Sequence, residues 1–164
     1  MDTVSNTFHK MRRHDRELDQ AAAVKILSEG EYGVLSTYGE DGWPYGVPLS
    51  YAYEDGKLYF HGAKTGHKLS NLQACDRASF TVVGRTHVLQ EIYSTAYQSA
   101  IAFGTVRVVT EAAEKKHGLL LLAEKYCYDN FAIADSYAER SLNNVCVYCM
   151  EIIHLTGKER PEQK

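Results

Sequence analysis

The stretch LYFHGAKTGHKLSNL, residues 58–72, places two histidines, two lysines and two glycines around one junction. An alternating apolar run ends at His61 and Gly62, and Leu69, Leu72 and Cys75 then recur at the spacing of a helix beginning near Gly66. A helix start collects unpaired backbone N–H groups and the positive end of the helix dipole, which together make an anion site. Lys64, His67 and Lys68 add charge and donors there, while Gly62 and Gly66 have no side chain to block a close approach. A phosphate suits this arrangement. The strict phosphate-loop patterns, G-x-x-x-x-G-K-[ST] and a G-x-G-x-x-G after a strand, are absent, which removes the nucleotide-hydrolase and dinucleotide-fold readings.

The elements that position this junction follow from periodicity. Asp19 is a natural N-cap for the helix in LDQAAAVKILSEGEYG, where Ala23, Ile26 and Leu27 form an apolar stripe and Gly30 lies where a left-handed C-terminal residue is expected. YGVLSTYG and PYGVPLSYAYEDGKLYFHGA hold three strands, separated by turns at GEDGW and at the Asp55-Gly56 pair. ASFTVVG and SAIAFGTVRVVT are two more, with RTHVLQEIYSTAYQ between them either a further strand and loop or a long excursion. EAAEKKHGLLLLAEKYC is helical, with Ala113, Leu120 and the neighbouring leucines on its buried side, and DSYAERSL is a short helix before a final strand. The sum is an α+β domain of about six mostly antiparallel strands with helices at the edges. The expected organisation is a flexible N-terminal arm over residues 1–16, one domain over 17–158 and a tail over 159–164. Trp43, Tyr45, Tyr51 and Tyr53 lie near the junction in sequence, and cross-strand packing is their ordinary role.

The chain of 164 residues fits one domain, and its net charge of -3 leaves no electrostatic footprint for nucleic acid or an anionic membrane. No apolar stretch approaches the ~20 residues needed to cross a bilayer, and the N-terminus lacks the apolar centre of a signal peptide, so a cytoplasmic location is expected. Cys146 and Cys149 have the spacing of a metal or redox pair, but they fall in a strand, where residues three apart face opposite sides. No metal site is expected there.

In order and spacing, MRRHDREL, GEYGVLST, GWPYGVPLSYAY, LYFHGAKTGHKLSNL, ASFTVVG and AFGTVRVV resemble the pyridoxamine 5'-phosphate oxidase-like FMN-binding proteins, specifically their 5-nitroimidazole-resistance branch. The resemblance runs from about Met11 to Gly157. It implies a split β-barrel and a homodimer with FMN in two symmetric clefts at the subunit interface. Val34, Leu35, Ser36 and Thr37 would run beside the flavin ring, and Val47, Pro48 and Leu49 would offer backbone groups to its edge. His61, Gly62, Lys64, Gly66, His67 and Lys68 would hold the phosphate, with His67 either a phosphate donor or an active-site group. The implied activity is FMN-dependent reduction of a small electron-poor molecule, such as a nitroimidazole or other nitro compound, at the expense of a reductant. Pyridoxamine 5'-phosphate oxidation ranks second, because the strand YGVPLS lacks the basic residues those oxidases carry. A flavin- or haem-binding protein without efficient turnover is the remaining alternative, with His154 as the axial ligand haem would need.

Overall fold

The computed structural model describes residues 8–162. In chain order the first half runs β1 (Glu17–Leu18), α1 (Gln20–Glu29), β2 (Gly33–Tyr38), β3 (Pro44–Leu49), β4 (Ala52–Glu54), β5 (Lys57–Gly62) and α2 (His67–Ala74). The second half runs β6 (Arg77–Leu89), β7 (Ser94–Val108), α3 (Ala112–Tyr126), α4 (Ala134–Ser141) and β8 (Cys146–Arg160).

Local chemistry explains most of these boundaries. Asp19 Oδ1 accepts the Ala22 N–H at 2.8 Å and caps α1, whose Ala23, Ile26 and Leu27 are buried. Each large residue of that stripe contributes about 1.5–3 kcal/mol through burial. Asp55 and Gly56, at φ 45° and 79°, supply the handedness of a two-residue hairpin between β4 and β5. Gly30 does end α1, but at φ -60° rather than left-handed. Glycine is needed there for another reason: a Cβ would lie 2.3 Å from Val82 Cγ1 and 2.7 Å from Tyr51 Oη.

The sheet has the order β3-β2-β6-β7-β8-β5-β4, with β1 added on β8, and every pairing is antiparallel. The expected second strand is broken at Ser50 and Tyr51, so that β3 pairs with β2 while β4 pairs with β5. This break and the short β1 raise the expected six strands to eight. The two edge strands are thus consecutive in the chain and end within about 11 Å of each other. The sheet curls to bring them together without pairing them, which is a split barrel. The stretch RTHVLQEIYSTAYQ resolves as the far end of one long β6–β7 hairpin, continued across a bulge between Val83 and Thr86.

Register divides the sheet into two faces. Leu35, Phe80, Ala102 and Leu155 form an inward rung in a core that also holds Leu27, Tyr51, Phe60, Val82, Tyr148 and Met150. Pro48, Val34, Thr81, Ile101 and Thr156 form an outward rung, and Gly46, Ser36, Ser79, Phe103 and His154 form the next. Helices α3 and α4 cover the outer face over β4, β5 and the start of β8, where Tyr59, Val109, Leu119, Ala138, Val147 and Cys149 make a second cluster. The strand from Cys146 to Met150 is therefore buried on both sides, and parity puts Cys146 in the first cluster and Cys149 in the second. On α3 the buried residues are Gly118, Leu119 and Leu122, whereas Ala113 is exposed. A Cβ at Gly118 would meet Tyr59 Cδ1 at 2.9 Å, and this close approach sets the face.

β8 runs to Arg160, and Phe8 stacks on His154 with centroids 4.3 Å apart and lies 5.4 Å from Phe103. Residues 1–7 of the expected arm and 163–164 of the expected tail lie outside the described residues. Among the described residues no helix is long and apolar enough to cross a membrane.

Candidate functional site

The junction that stands out in the sequence is the start of α2. Gly66 is its N-cap at φ 129°, a conformation that favours glycine, and no side chain caps the helix. The first helical bond runs from Ser70 N–H to the Gly66 carbonyl, so the N–H groups of the opening turn have no acceptor within the helix. Lys68 is the second residue of that turn. Its Nζ lies 4.5 Å from the Tyr148 ring centroid and 5.5 Å from that of Phe60, and a Cβ at Gly62 would come within 2.7 Å of it. Burial holds the ammonium below the usual lysine pKa, against a smaller opposing effect of Cys146. No carboxylate lies within ion-pair distance of Lys68 among the described residues. The Tyr148 hydroxyl is buried without a hydrogen-bond partner among the described residues. His61, at the end of β5, also has a lowered pKa, through burial first and the Lys68 charge second.

His67 faces the other way. Its Nε2 is 3.5 Å from Asp41 Oδ2, and its ring sits 4.1 Å from that of Tyr45 on β3. Asp41 is itself fixed by accepting the Trp43 N–H at 3.1 Å. Two turns of α2 are thereby pinned to the β2–β3 hairpin, because the buried Asn71 donates through Nδ2 to Thr37 Oγ1 at 3.1 Å.

His61, Gly62, Gly66 and Lys68 thus lie together at the β5–α2 junction, whereas the His67 side chain leaves it for the β2–β3 hairpin. Lys64 does not join them: its ammonium donates to the Asn143 carbonyl, next to the Leu142 carbonyl that Lys115 takes. On β2, Val34 and Ser36 face outward, while Leu35 and Thr37 point into the barrel. Val47, Pro48 and Leu49 lie on β3, which is paired on one side only. Of the aromatic residues near the junction, Tyr45 reaches the site, Tyr51 is core and Trp43 is 71 % exposed. Tyr148 and Asn71 belong to the site and carry no sequence signal of it. Tyr148 is eighty positions from Lys68 and meets it only because β8 pairs with β5. Among the described residues, no group of three or more His, Cys, Asp or Glu side chains is arranged to hold a metal.

A half-buried cation, a helix N-terminus and two glycines without a counter-charge make a cradle for an anion. Solved structures share the surrounding fold. A provisionally assigned 5-nitroimidazole antibiotic resistance protein of Bacteroides thetaiotaomicron superposes with a TM-score of 0.74 at 23 % identity, over 92 % of this chain and 96 % of that one. An FAD-binding protein of Mesorhizobium loti gives 0.62 at 22 % identity over 88 % and 97 %. The flavocytochrome Anf3 of Azotobacter vinelandii gives 0.70 at 20 % identity over 98 % and 77 %. No curated protein matches the chain. Residues 19–159 match the family model described as pyridoxamine 5'-phosphate oxidase, from the cap of α1 to the end of β8, and the chain belongs to that family.

Proposed function

We propose that this protein is an FMN-dependent oxidoreductase that reduces a small electron-poor organic molecule, a nitroimidazole or another nitro compound, and that it acts as a homodimer with the cofactor at the subunit interface. The observation that carries the reading is Lys68. An ammonium at the positive end of a helix, partly removed from water and without a counter-charge, is unfavourable on each count. A phosphate would relieve all three and would also accept the free N–H groups of the first turn. The residues present therefore fit the phosphate end of FMN. Family membership and the flavin and nitroimidazole-resistance names of the relatives support the same reading.

When bound, a flavin supplies the two-electron chemistry, and the protein's task is to bind, orient and exclude water. Lys68 and the opening turn of α2 hold the phosphate, and Gly62 and Gly66 leave room for its oxygens. Val34 and Ser36, with the unpaired edge of β3 at Val47, Pro48 and Leu49, flank the ring. Leu35 and Thr37 contribute only their place in the strand. We assign His67 to bracing the first turn and the phosphate, since Asp41 and Tyr45 hold its ring toward the β2–β3 hairpin. The homodimer is supported by the open half of the outer face. Between margins at Arg77, Glu151 and Lys158, its rungs of Pro, Gly, Val, Ser, Thr, Ile, Phe and His, with Phe8 laid over Phe103 and His154, carry no Asp, Glu, Lys or Arg, as an interface core requires.

The deciding experiment is release of the chromophore from purified protein and measurement of its mass. FMN is the expected product. A protein that carries no flavin and takes up none on addition of FMN would overturn the reading, and haem in its place would redirect attention to His154.

A further inference from the structure

A cavity of about 410 Å³ lies against the same strand ends, enclosed by His61, Ser50 and the inner sides of α3 and α4. Its walls include Leu122, Tyr126, Ile133 and Tyr137, and no Asp, Glu, Lys or Arg lines it. The volume is that of a small-molecule site, and the pattern of apolar walls with a few polar groups is the usual one. We propose that this cavity takes the substrate, and that the substrate is an uncharged planar aromatic molecule rather than a phosphate ester or carboxylate. The proposal rests on the flavin reading given above and deepens it.

Three observations carry it. First, the cavity adjoins the residues assigned to the cofactor: Ser50 follows Leu49, and His61 precedes Gly62. Of the two, His61 adjoins the phosphate end and Ser50 the edge assigned to the ring, so a molecule seated against Ser50 would lie beside the part of a bound flavin that transfers electrons. Second, an anion in walls without a cation would lose its hydration and gain no partner, whereas an aromatic ring finds two tyrosine rings and branched aliphatic side chains. His61 does not undo this argument, because burial and the neighbouring Lys68 favour its neutral form, a donor or acceptor for a nitro or carbonyl oxygen. Third, one wall is held firmly. The Tyr51 N–H donates to Tyr126 Oη at 2.9 Å, and that hydroxyl donates to the Glu31 carbonyl at 2.6 Å. At the mouth, Ile133 and Tyr137 are each 61 % exposed, so the apolar entrance faces solvent.

The test is calorimetric titration of the purified protein, with its flavin and after flavin removal, using 4-nitrobenzyl alcohol and 4-nitrophenyl phosphate. In the flavin-loaded protein, whose phosphate cradle is filled, the neutral probe is expected to bind at least tenfold more tightly; the flavin-free protein is the control for phosphate binding at Lys68. Ile133→Arg and Tyr137→Arg alter exposed positions that folding tolerates; each is expected to weaken the neutral probe at least tenfold, narrow the preference and leave flavin content unchanged. Equal affinity for the two probes, or unchanged affinity for the neutral probe in both variants, overturns the proposal. So does loss of flavin in step with loss of probe, which would make the cavity part of the cofactor's own bed. If the protein takes up no flavin at all, the cofactor reading fails by itself, and the loss of neutral-probe affinity in Ile133→Arg and Tyr137→Arg, measured on the flavin-free protein, still decides what the cavity accepts.

Discussion

Lys68 and Lys125 present the same chemistry at opposite ends of two helices. Each ammonium lies over tyrosine: Lys68 at 4.5 Å from the Tyr148 centroid, Lys125 at 3.9 Å from that of Tyr51 and 5.3 Å from that of Tyr126. Burial lowers the pKa of both, that of Lys125 to about 8. Lys125 Nζ is buried with no hydrogen-bond partner among the described residues. The difference is the helix end. Lys125 occupies the last turn of α3, where the dipole favours a cation, and Lys68 the first turn of α2, where it does not. Lys125 therefore has a local reason to stay as it is, with aromatic faces and the dipole compensating part of its desolvation. Lys68 has no such compensation from the dipole, and a ligand phosphate would supply it. A buried cation by itself is weak evidence of a site; its position on the helix makes it informative.

The largest effect that would separate the two is expected from Lys68→Ala. It should weaken FMN binding ten- to hundredfold, roughly 1.5–3 kcal/mol for one charge-assisted contact, with little change in the folding midpoint. Flavin fluorescence quenching measures this, and equal loss of affinity in Lys125→Met would erase the contrast. Asn71→Ala removes the donor to Thr37 Oγ1, which keeps only its own bond to the Tyr45 carbonyl at 3.4 Å, and unpins α2 from β2, at a cost of about 1–3 kcal/mol in stability, read from urea unfolding. FMN affinity should fall with it, because the first turn loses its brace.

Lys125→Met should act in the opposite sense, raising stability at pH 7 by about 1–2 kcal/mol, less than the full pKa shift implies because the side chain keeps partial access to water. The accompanying pH dependence has a definite sign. With a folded pKa of about 8 against about 10.4 unfolded, the unfolded chain binds more protons between those values, so stability rises with pH across that window. Below pH 8 this group contributes no slope. Urea midpoints of the wild type measured from pH 7.5 to 10 should rise relative to those of Lys125→Met; parallel curves would place Lys125 in water. The smallest expected effect is that of Gly62→Ala. The new Cβ would meet only the mobile end of Lys68, so the fold should accept it while FMN affinity falls about fivefold, for roughly 1 kcal/mol of displaced contact. Unchanged affinity would mean that Lys68 works from another rotamer.

Local features were legible in the chain. Asp19 and the Ala23, Ile26, Leu27 stripe define α1, Asp55-Gly56 defines a hairpin, and the strand-to-helix change falls at His61–His67, where the anion cradle is proposed, because each depends on neighbours a few residues apart. The parity of Cys146 and Cys149 was equally readable, since alternation in a strand follows from backbone geometry alone. Lys64 and Lys68 could not be told apart in the same way. One is drawn to the Asn143 carbonyl and the other to Tyr148, and both partners come from the last third of the chain, brought alongside by the β5–β8 pairing. The break at Ser50 and Tyr51 likewise reflects the closing of the sheet, which sends one continuous apolar run to two opposite edges. The cavity beside His61 arises only where α3 and α4 fold back over β5. Short-range chemistry was therefore decided by the order of the residues, whereas the choice of which lysine meets the cleft, and what closes the cleft on its far side, was decided by contacts between segments that only the folded sheet brings together.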